Sequence, residues 1–184
     1  MIAFPLLDGL PPAELQALEL DGECYRMAEH RVPIGFAPTP ALRTIAALAG
    51  RHDRLIAGLG TAAWIWGAAP EPPATLEFVV AMDARWKPTP SIRLRVLETT
   101  CHPGDVTRVA GRNVTAPLRT AVDLARFGTG TEARFDDATG RSIRELARIG
   151  GFTLDEAVTA AAQHGGAVNT HQADARLRAA LSPS

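Results

Sequence analysis

The chain has 184 residues, 46% of them hydrophobic and 21% charged, with a formal net charge of −1. That make-up buries a core and excludes disorder, and its near-zero charge supplies no global pull toward nucleic acid or an anionic membrane. No run of about 18 uncharged apolar residues exists to span a bilayer, and the opening MIAFPLLDGLPPAEL lacks the basic start of a secretory signal.

Residues 11–20, PPAELQALEL, read as a short helix with prolines in its first turn. Residues 22–36 read as a hairpin: Tyr25, Met27, Val32 and Ile34 alternate, and Glu29, His30 and Arg31 form the tip. Thr39-Pro40 opens an apolar helix expected over 40–57, with Leu42, Ile45, Leu48, Leu55 and Ile56 on it. Gly58 and Gly60 break it, and the short helix TAAWIWG follows. Trp64 and Trp66, two apart, cannot share a helix face. Trp64 is expected in the core beneath the next strand, and Trp66 is expected exposed or over a second layer. A base-stacking platform is the alternative.

LEFVVAM (76–82) predicts a strand buried on both faces. IRLRVLE (92–98) alternates Ile92, Leu94 and Val96 with Arg93 and Arg95, which places both arginines on an outward face. Residues 105–115 hold two short strands about Gly111, and Thr115 is expected to cap the helix APLRTAVDLARFG, stopped by Gly128. Arg119 and Asp123, four apart on that helix, suit an ion pair, either a clamp tying the helix to the strands or a recognition site for a partner. Further helices are expected at 132–149, 153–164 and 170–181, with Thr153 and Asn169 or Thr170 as caps.

Charge is uneven. Residues 1–84 hold 5 basic and 10 acidic residues, residues 85–126 hold 8 and 3, and residues 127–184 hold 6 and 7. The basic middle, with Arg85, Lys87, Arg93, Arg95, Arg108 and Arg112, is either a solvated face with internal ion pairs or a surface for an acidic partner or a phosphate backbone.

No catalytic constellation is complete. Cys24, His30, Cys101 and His102 lack zinc-ligand spacing, and His52, His164 and His171 are scattered. Cys24 and Cys101, far apart, predict reduced thiols in a cytoplasmic protein, with a disulfide as the alternative. Lys87, the one lysine against 18 arginines, precedes Pro88, so no phosphate-binding loop forms, and no GxSxG occurs. A restriction-type nuclease needs a carboxylate where Arg85 stands. A nucleotidyltransferase needs two carboxylates at alternate strand positions, and Glu77-Phe78-Val79 provides one. An enzyme is therefore not expected, nor is a metal or cofactor.

The succession GLGTAAWIWG, an apolar strand, IRLRVLE, HPGDVTRVAGRNVT and RTAVDLAR over about residues 40–127 resembles the C-terminal domain of AbiEi-family antitoxins. VTAPLRTAVDLAR (114–126) is the most specific part. The resemblance implies a non-catalytic antitoxin or regulator from an actinobacterial type IV toxin–antitoxin or phage-defence operon, opposing a nucleotidyltransferase-like toxin. Family members carry an N-terminal winged helix that binds their own promoter. About 38 residues precede the matching region here, which implies a remnant of one. The end at Ser184 implies that the nuclease domain of longer relatives is lacking. The alternatives are a nucleic-acid-binding transcriptional regulator that uses the basic strand surface, and a degenerate protein of nucleotidyltransferase fold. The expected fold is α+β: a helix-hairpin over 1–38, an antitoxin core with a small mixed sheet over 39–130, and a helical extension over 131–184.

Overall fold

The computed structural model describes residues 6–7, 9–84, 94–128, 130–131, 134–135, 137–164 and 167–182, with the backbone alone at 84, 130–131, 134–135 and 167–169. The fold is α+β, with seven helices and nine strands among the described residues.

Helix α1 (Pro12–Leu20) leads into the hairpin β1 (Cys24–Met27) and β2 (His30–Pro33). The hairpin turns at Ala28-Glu29, one residue pair earlier than the charged tip suggests, with Ala28 at φ 53°. A left-handed φ at that position suits the twist of a two-residue hairpin. Met27 and Val32 are buried in the core beneath it.

Helix α2 (Pro40–Leu48) starts as expected: Thr39 Oγ1 accepts the Leu42 amide at 3.3 Å, and Pro40 sits in the first turn. It ends nine residues before the expected boundary. Ala49 leaves the helix and Gly50 takes φ 64°, a left-handed stop that glycine adopts without Cβ strain. Leu55 and Ile56, expected on that helix, instead enter the core through a turn and β3 (Ile56–Ala57).

β3 is two residues long and central. The five-stranded sheet runs β5-β4-β3-β7-β6, with β4 (Leu76–Ala81), β5 (Leu94–Thr99), β6 (Val106–Val109) and β7 (Arg112–Thr115). β3 pairs antiparallel with β4 and parallel with β7, and β4 with β5 is parallel. The sheet is thus mixed, and wider than the expected 76–115 because β3 joins it. A third pair, β8 (Gly130–Thr131) and β9 (Arg134–Phe135), stands apart.

Period-two alternation sorts the sheet's faces. Leu76, Phe78 and Val80, with Leu94 and Val96 beside them, face a first core built with α2, the hairpin and Trp64. On the other face Leu97 packs against a second core. That core takes Leu59 and Ala63 from α3 (Leu59–Trp66) and residues of α4 (Pro117–Phe127), α5 (Asp137–Gly150), α6 (Leu154–His164) and α7 (Ala167–Leu181). Thr153 and Glu156 form a reciprocal capping box at the start of α6, with contacts of 2.7 and 3.3 Å. Thr115 does not cap α4: it lies in β7, and its hydroxyl meets that of Thr120 at 2.7 Å. α7 begins at Ala167, so Asn169 and Thr170 fall in its first turn instead of capping it.

Candidate functional site

Helix α4 buries seven consecutive residues, Arg119 to Ala125, because helices α3, α5, α6 and α7 all pack against it. Two of the seven are charged, and buried charge must be paired and hydrogen-bonded. Arg119, 2% exposed, meets that demand with all three nitrogens. Nε donates to Asp123 Oδ2 at 2.9 Å, the i,i+4 contact expected from the sequence. Nη2 donates to Thr99 Oγ1 at 2.9 Å. Nη1 donates to the Thr100 carbonyl at 2.9 Å and to Asp105 Oδ2 at 2.8 Å. One guanidinium therefore joins the end of β5, the loop before β6, its own helix and, through His164, the end of α6. Burial works against its charge, but Asp123 and Asp105 outweigh burial and hold its pKa above the ordinary value.

The geometry fixes the tautomer of His164. Its Nδ1 lies 3.3 Å from Arg119 Nη1, which can only donate, so Nδ1 accepts. The ring proton is then on Nε2, which faces Asp105 Oδ1 at 3.2 Å. Burial lowers the His164 pKa, the Arg119 charge lowers it further, and Asp105 opposes both. Asp105 also accepts the His102 amide at 2.6 Å, and the His102 and His164 rings lie 4.9 Å apart. Cys101 borders the cluster, and burial pushes its thiol up despite the Arg119 charge. It stays protonated near neutrality and is no nucleophile. The cluster thus has no activated nucleophile, and all three guanidinium nitrogens are engaged by the protein's own groups: its chemistry is that of a tether.

The second place where this fold can position chemistry is the sharp β3–α3 turn. Leu59 sits there at φ 47°, a strained setting of the kind that clusters at functional sites. The residue is a leucine, buried at 1% exposure. Gly58 and Gly60 flank it for steric reasons: an added Cβ would stand 2.9 Å from Val79 Cγ1 at the first and 2.8 Å from Glu77 Oε2 at the second. Glu77, the lone carboxylate of the strand, has a local task. Its Oε2 accepts the Gly60 amide at 2.8 Å, which caps the start of α3, and its Oε1 pairs with Arg95 at 2.8 Å.

That pair corrects the outward orientation expected for Arg95. Register sets Arg95 directly beside Glu77, on the face where the Phe127 carbonyl also accepts from it at 3.4 Å. Arg112 is likewise engaged, pairing with Asp53 at 2.7 Å and donating to the Arg51 carbonyl at 2.9 Å. Arg108 is exposed and bonds the Gly111 carbonyl at 2.7 Å. Arg85, Lys87 and Arg93 lie outside the described residues. Trp64 is buried at 3% exposure in the first core. Trp66 is half-buried between both cores, and its Nε1 donates to the Thr115 carbonyl at 2.8 Å.

Asp105 and His164 were not singled out from the sequence as members of a site. The HPGD turn (102–105) is a local signal for the first, since an aspartate there bonds its own turn. The second lies 45 residues beyond Arg119, and nothing in the spacing announces the contact. Among the described residues no group of three or more His, Cys, Asp or Glu is placed to hold a metal ion, and no helix is long and apolar enough to cross a membrane. Cys24 and Cys101 are free thiols.

Among solved structures, the RV2827C protein from Mycobacterium tuberculosis is similar at 17% identity over 95% of this chain and 70% of that one, with a TM-score of 0.36. A likeness so distant carries no argument. No curated protein matches the chain. The family model described as the AbiEi antitoxin C-terminal domain matches residues 56–147. That span runs from β3 into α5 and holds the sheet, the strained turn, Glu77 and the Arg119–Asp123 pair. It starts later and ends later than the 40–127 read from the sequence. With half of its 184 residues so matched, the chain belongs to the AbiEi antitoxin C-terminal domain family.

Proposed function

We propose that this chain is a non-catalytic antitoxin that counteracts a cognate nucleotidyltransferase-like toxin in the cytoplasm, within a toxin–antitoxin operon of the phage-defence type. The match of residues 56–147 to an antitoxin domain carries this reading. The geometry agrees with it. Leu59 occupies the strained turn, Glu77 is held by the Gly60 amide and Arg95, and the Cys101 thiol is kept protonated. Neutralisation of Arg95 by Glu77 and of Arg112 by Asp53 counts against the alternative of a basic surface that reads phosphates. The test is co-expression with the product of the adjacent gene. Growth arrest by the neighbour alone and recovery in the presence of this chain are expected. A neighbour that is harmless, or that stays lethal beside this chain, refutes the proposal. Nucleotide incorporation catalysed by the purified chain refutes its non-catalytic part.

A further inference from the structure

A cleft of about 700 Å³ separates the N-terminal hairpin from the body. One wall is five consecutive residues, Tyr25 to Glu29, along β1 and its turn. The opposite wall is five more, Pro70 to Ala74, and Trp64 and Leu76 line it between them.

The β1 wall is an open strand edge. Among the described residues β1 pairs with β2 alone, in the register Tyr25↔Val32 and Met27↔His30. The Glu23 carbonyl accepts the Ile34 amide at 2.9 Å. In an antiparallel ladder alternate residues turn their backbone groups toward the partner, so residues 23, 25 and 27 spend theirs on β2. Cys24 and Arg26 turn their N–H and C=O groups the other way, along the open edge. Among the described residues no backbone bond joins the facing wall to that edge, and three of its five residues, Pro70, Pro72 and Pro73, have no N–H to donate. An unpaired edge beside a cleft is a template for an added strand.

Charge selects the ligand. Arg43 lines the cleft with Nη1 bonded to the Trp64 carbonyl at 2.6 Å and its guanidinium 5.6 Å from the Trp64 ring centroid. Its Nε is buried with no acceptor among the described residues. Arg26 also lines the cleft, is exposed, and has no ion pair among the described residues. Of the two lining carboxylates, Glu29 is held by Arg51 at 2.8 Å, which leaves Glu71 at the exposed rim. Two cations therefore stand against one uncommitted carboxylate.

We propose that this cleft is a peptide-binding site: an extended acidic segment of a partner protein adds to β1 as a third strand, pairs with the Arg26 backbone, and sets a carboxylate against the Arg43 and Arg26 guanidinium groups. The strand edge and both cations lie outside the span that matches the antitoxin domain, while Trp64 and the 70–76 wall lie inside it; the proposal holds whether or not the chain neutralises a toxin.

The test is selection of a displayed library of random twelve-residue peptides on the purified chain, followed by fluorescence anisotropy with the enriched peptides. Enriched sequences are expected to alternate in character and to share an acidic position. Changing that position to its amide should weaken binding about tenfold or more, the effect of losing a hydrogen bond to a charged group. Arg43→Gln should do the same. Arg26→Glu is the second variant: it changes an exposed, unpaired side chain, so it should melt like the parent and still lose binding. In amide NMR spectra, shifts on peptide addition should centre on residues 24–28 and the Trp64 indole. Failure of any sequence to enrich, equal binding by the parent and Arg26→Glu, or shifts centred elsewhere overturns the proposal. A random 20-nucleotide oligonucleotide that produces the same shifts at lower concentration than the peptides overturns it in favour of nucleic acid.

Discussion

Replacing Arg119 by leucine tests whether the buried cluster is a tether. The change removes the donor that reaches Asp123, Asp105, Thr99 and the Thr100 carbonyl. Asp123, at 1% exposure, loses the single hydrogen bond its carboxylate has among the described residues, since Oδ1 already has none and Arg126 Nη1 stands 4.0 Å away. Removing one partner of a buried ion pair typically costs about 3–5 kcal/mol. For a chain of this length each 1 kcal/mol moves the melting point by about 2–4 °C. Arg119→Leu should therefore lower Tm by about 6–20 °C in a circular dichroism melt at pH 7.5. The double change Arg119→Leu, Asp123→Leu discriminates further. It replaces the stranded carboxylate by an apolar group of similar volume, so it should melt no lower than the single variant. A single variant within about 1 kcal/mol of the parent, or a double variant whose loss is the sum of the two single losses, refutes the tether.

Acid should loosen the same cluster from the side of α6. His164 has a folded pKa below its unfolded value of 6.5. Its contribution is therefore fully present above about pH 6.5 and is lost as pH falls toward the folded pKa, because the unfolded chain takes up the proton first. Melting points at pH 7.5 and 5.5 should show that loss, and a drop of the same size in His164→Gln would rule it out. Gly60→Ala puts a methyl 2.8 Å from Glu77 Oε2, where the carboxylate is fixed by the Gly60 amide and Arg95. A destabilisation of about 1–3 kcal/mol in urea unfolding is expected, and an unchanged midpoint would show that the cap yields freely. Arg95→Glu sets two carboxylates side by side in the β4–β5 register and should cost about 1 kcal/mol. A melt equal to the parent's would mean that the strand face is solvated, as its alternation alone suggests.

The elements that the sequence revealed are those whose signals are local. Thr39-Pro40 at the start of α2, the Thr153–Glu156 capping box, the strand LEFVVAM and the Arg119–Asp123 spacing each lie within one turn or one strand of their own explanation. β3 escaped because two residues between two neighbouring strands carry no period: Leu55 and Ile56 continue the apolar pattern of α2, and only Gly50 marks where the helix stops. Arg95 was misjudged because alternation sorts faces but does not say what covers them. The strand's second face is partly covered, and the carboxylate that meets Arg95 is 18 residues back on β4. The Arg119 cluster was half legible. Its helical pair follows from spacing, whereas Asp105 and His164 arrive through the packing of a loop and of α6.

The arginine-rich composition gains a structural meaning from these contacts. Arg43, Arg51, Arg95, Arg112, Arg119 and Arg176 each donate to a backbone carbonyl, of Trp64, Ala47, Phe127, Arg51, Thr100 and Ala125 respectively. Several of these carbonyls lie at helix ends, where the last turn leaves acceptors without partners. A planar guanidinium can bind such a carbonyl and a carboxylate at once through separate nitrogens, as Arg95 and Arg112 do. A lysine ammonium has no such fork. Among the described residues much of the positive charge is thus engaged by carbonyls and carboxylates of the chain itself, so a count of basic residues overstates the charge left to a partner. Recognition then falls to groups that the fold leaves uncommitted. At the cleft those are the outward backbone of Arg26, its side chain and, on α2, the half-used guanidinium of Arg43, which is why the cleft between hairpin and body is the surface where a partner protein should be sought.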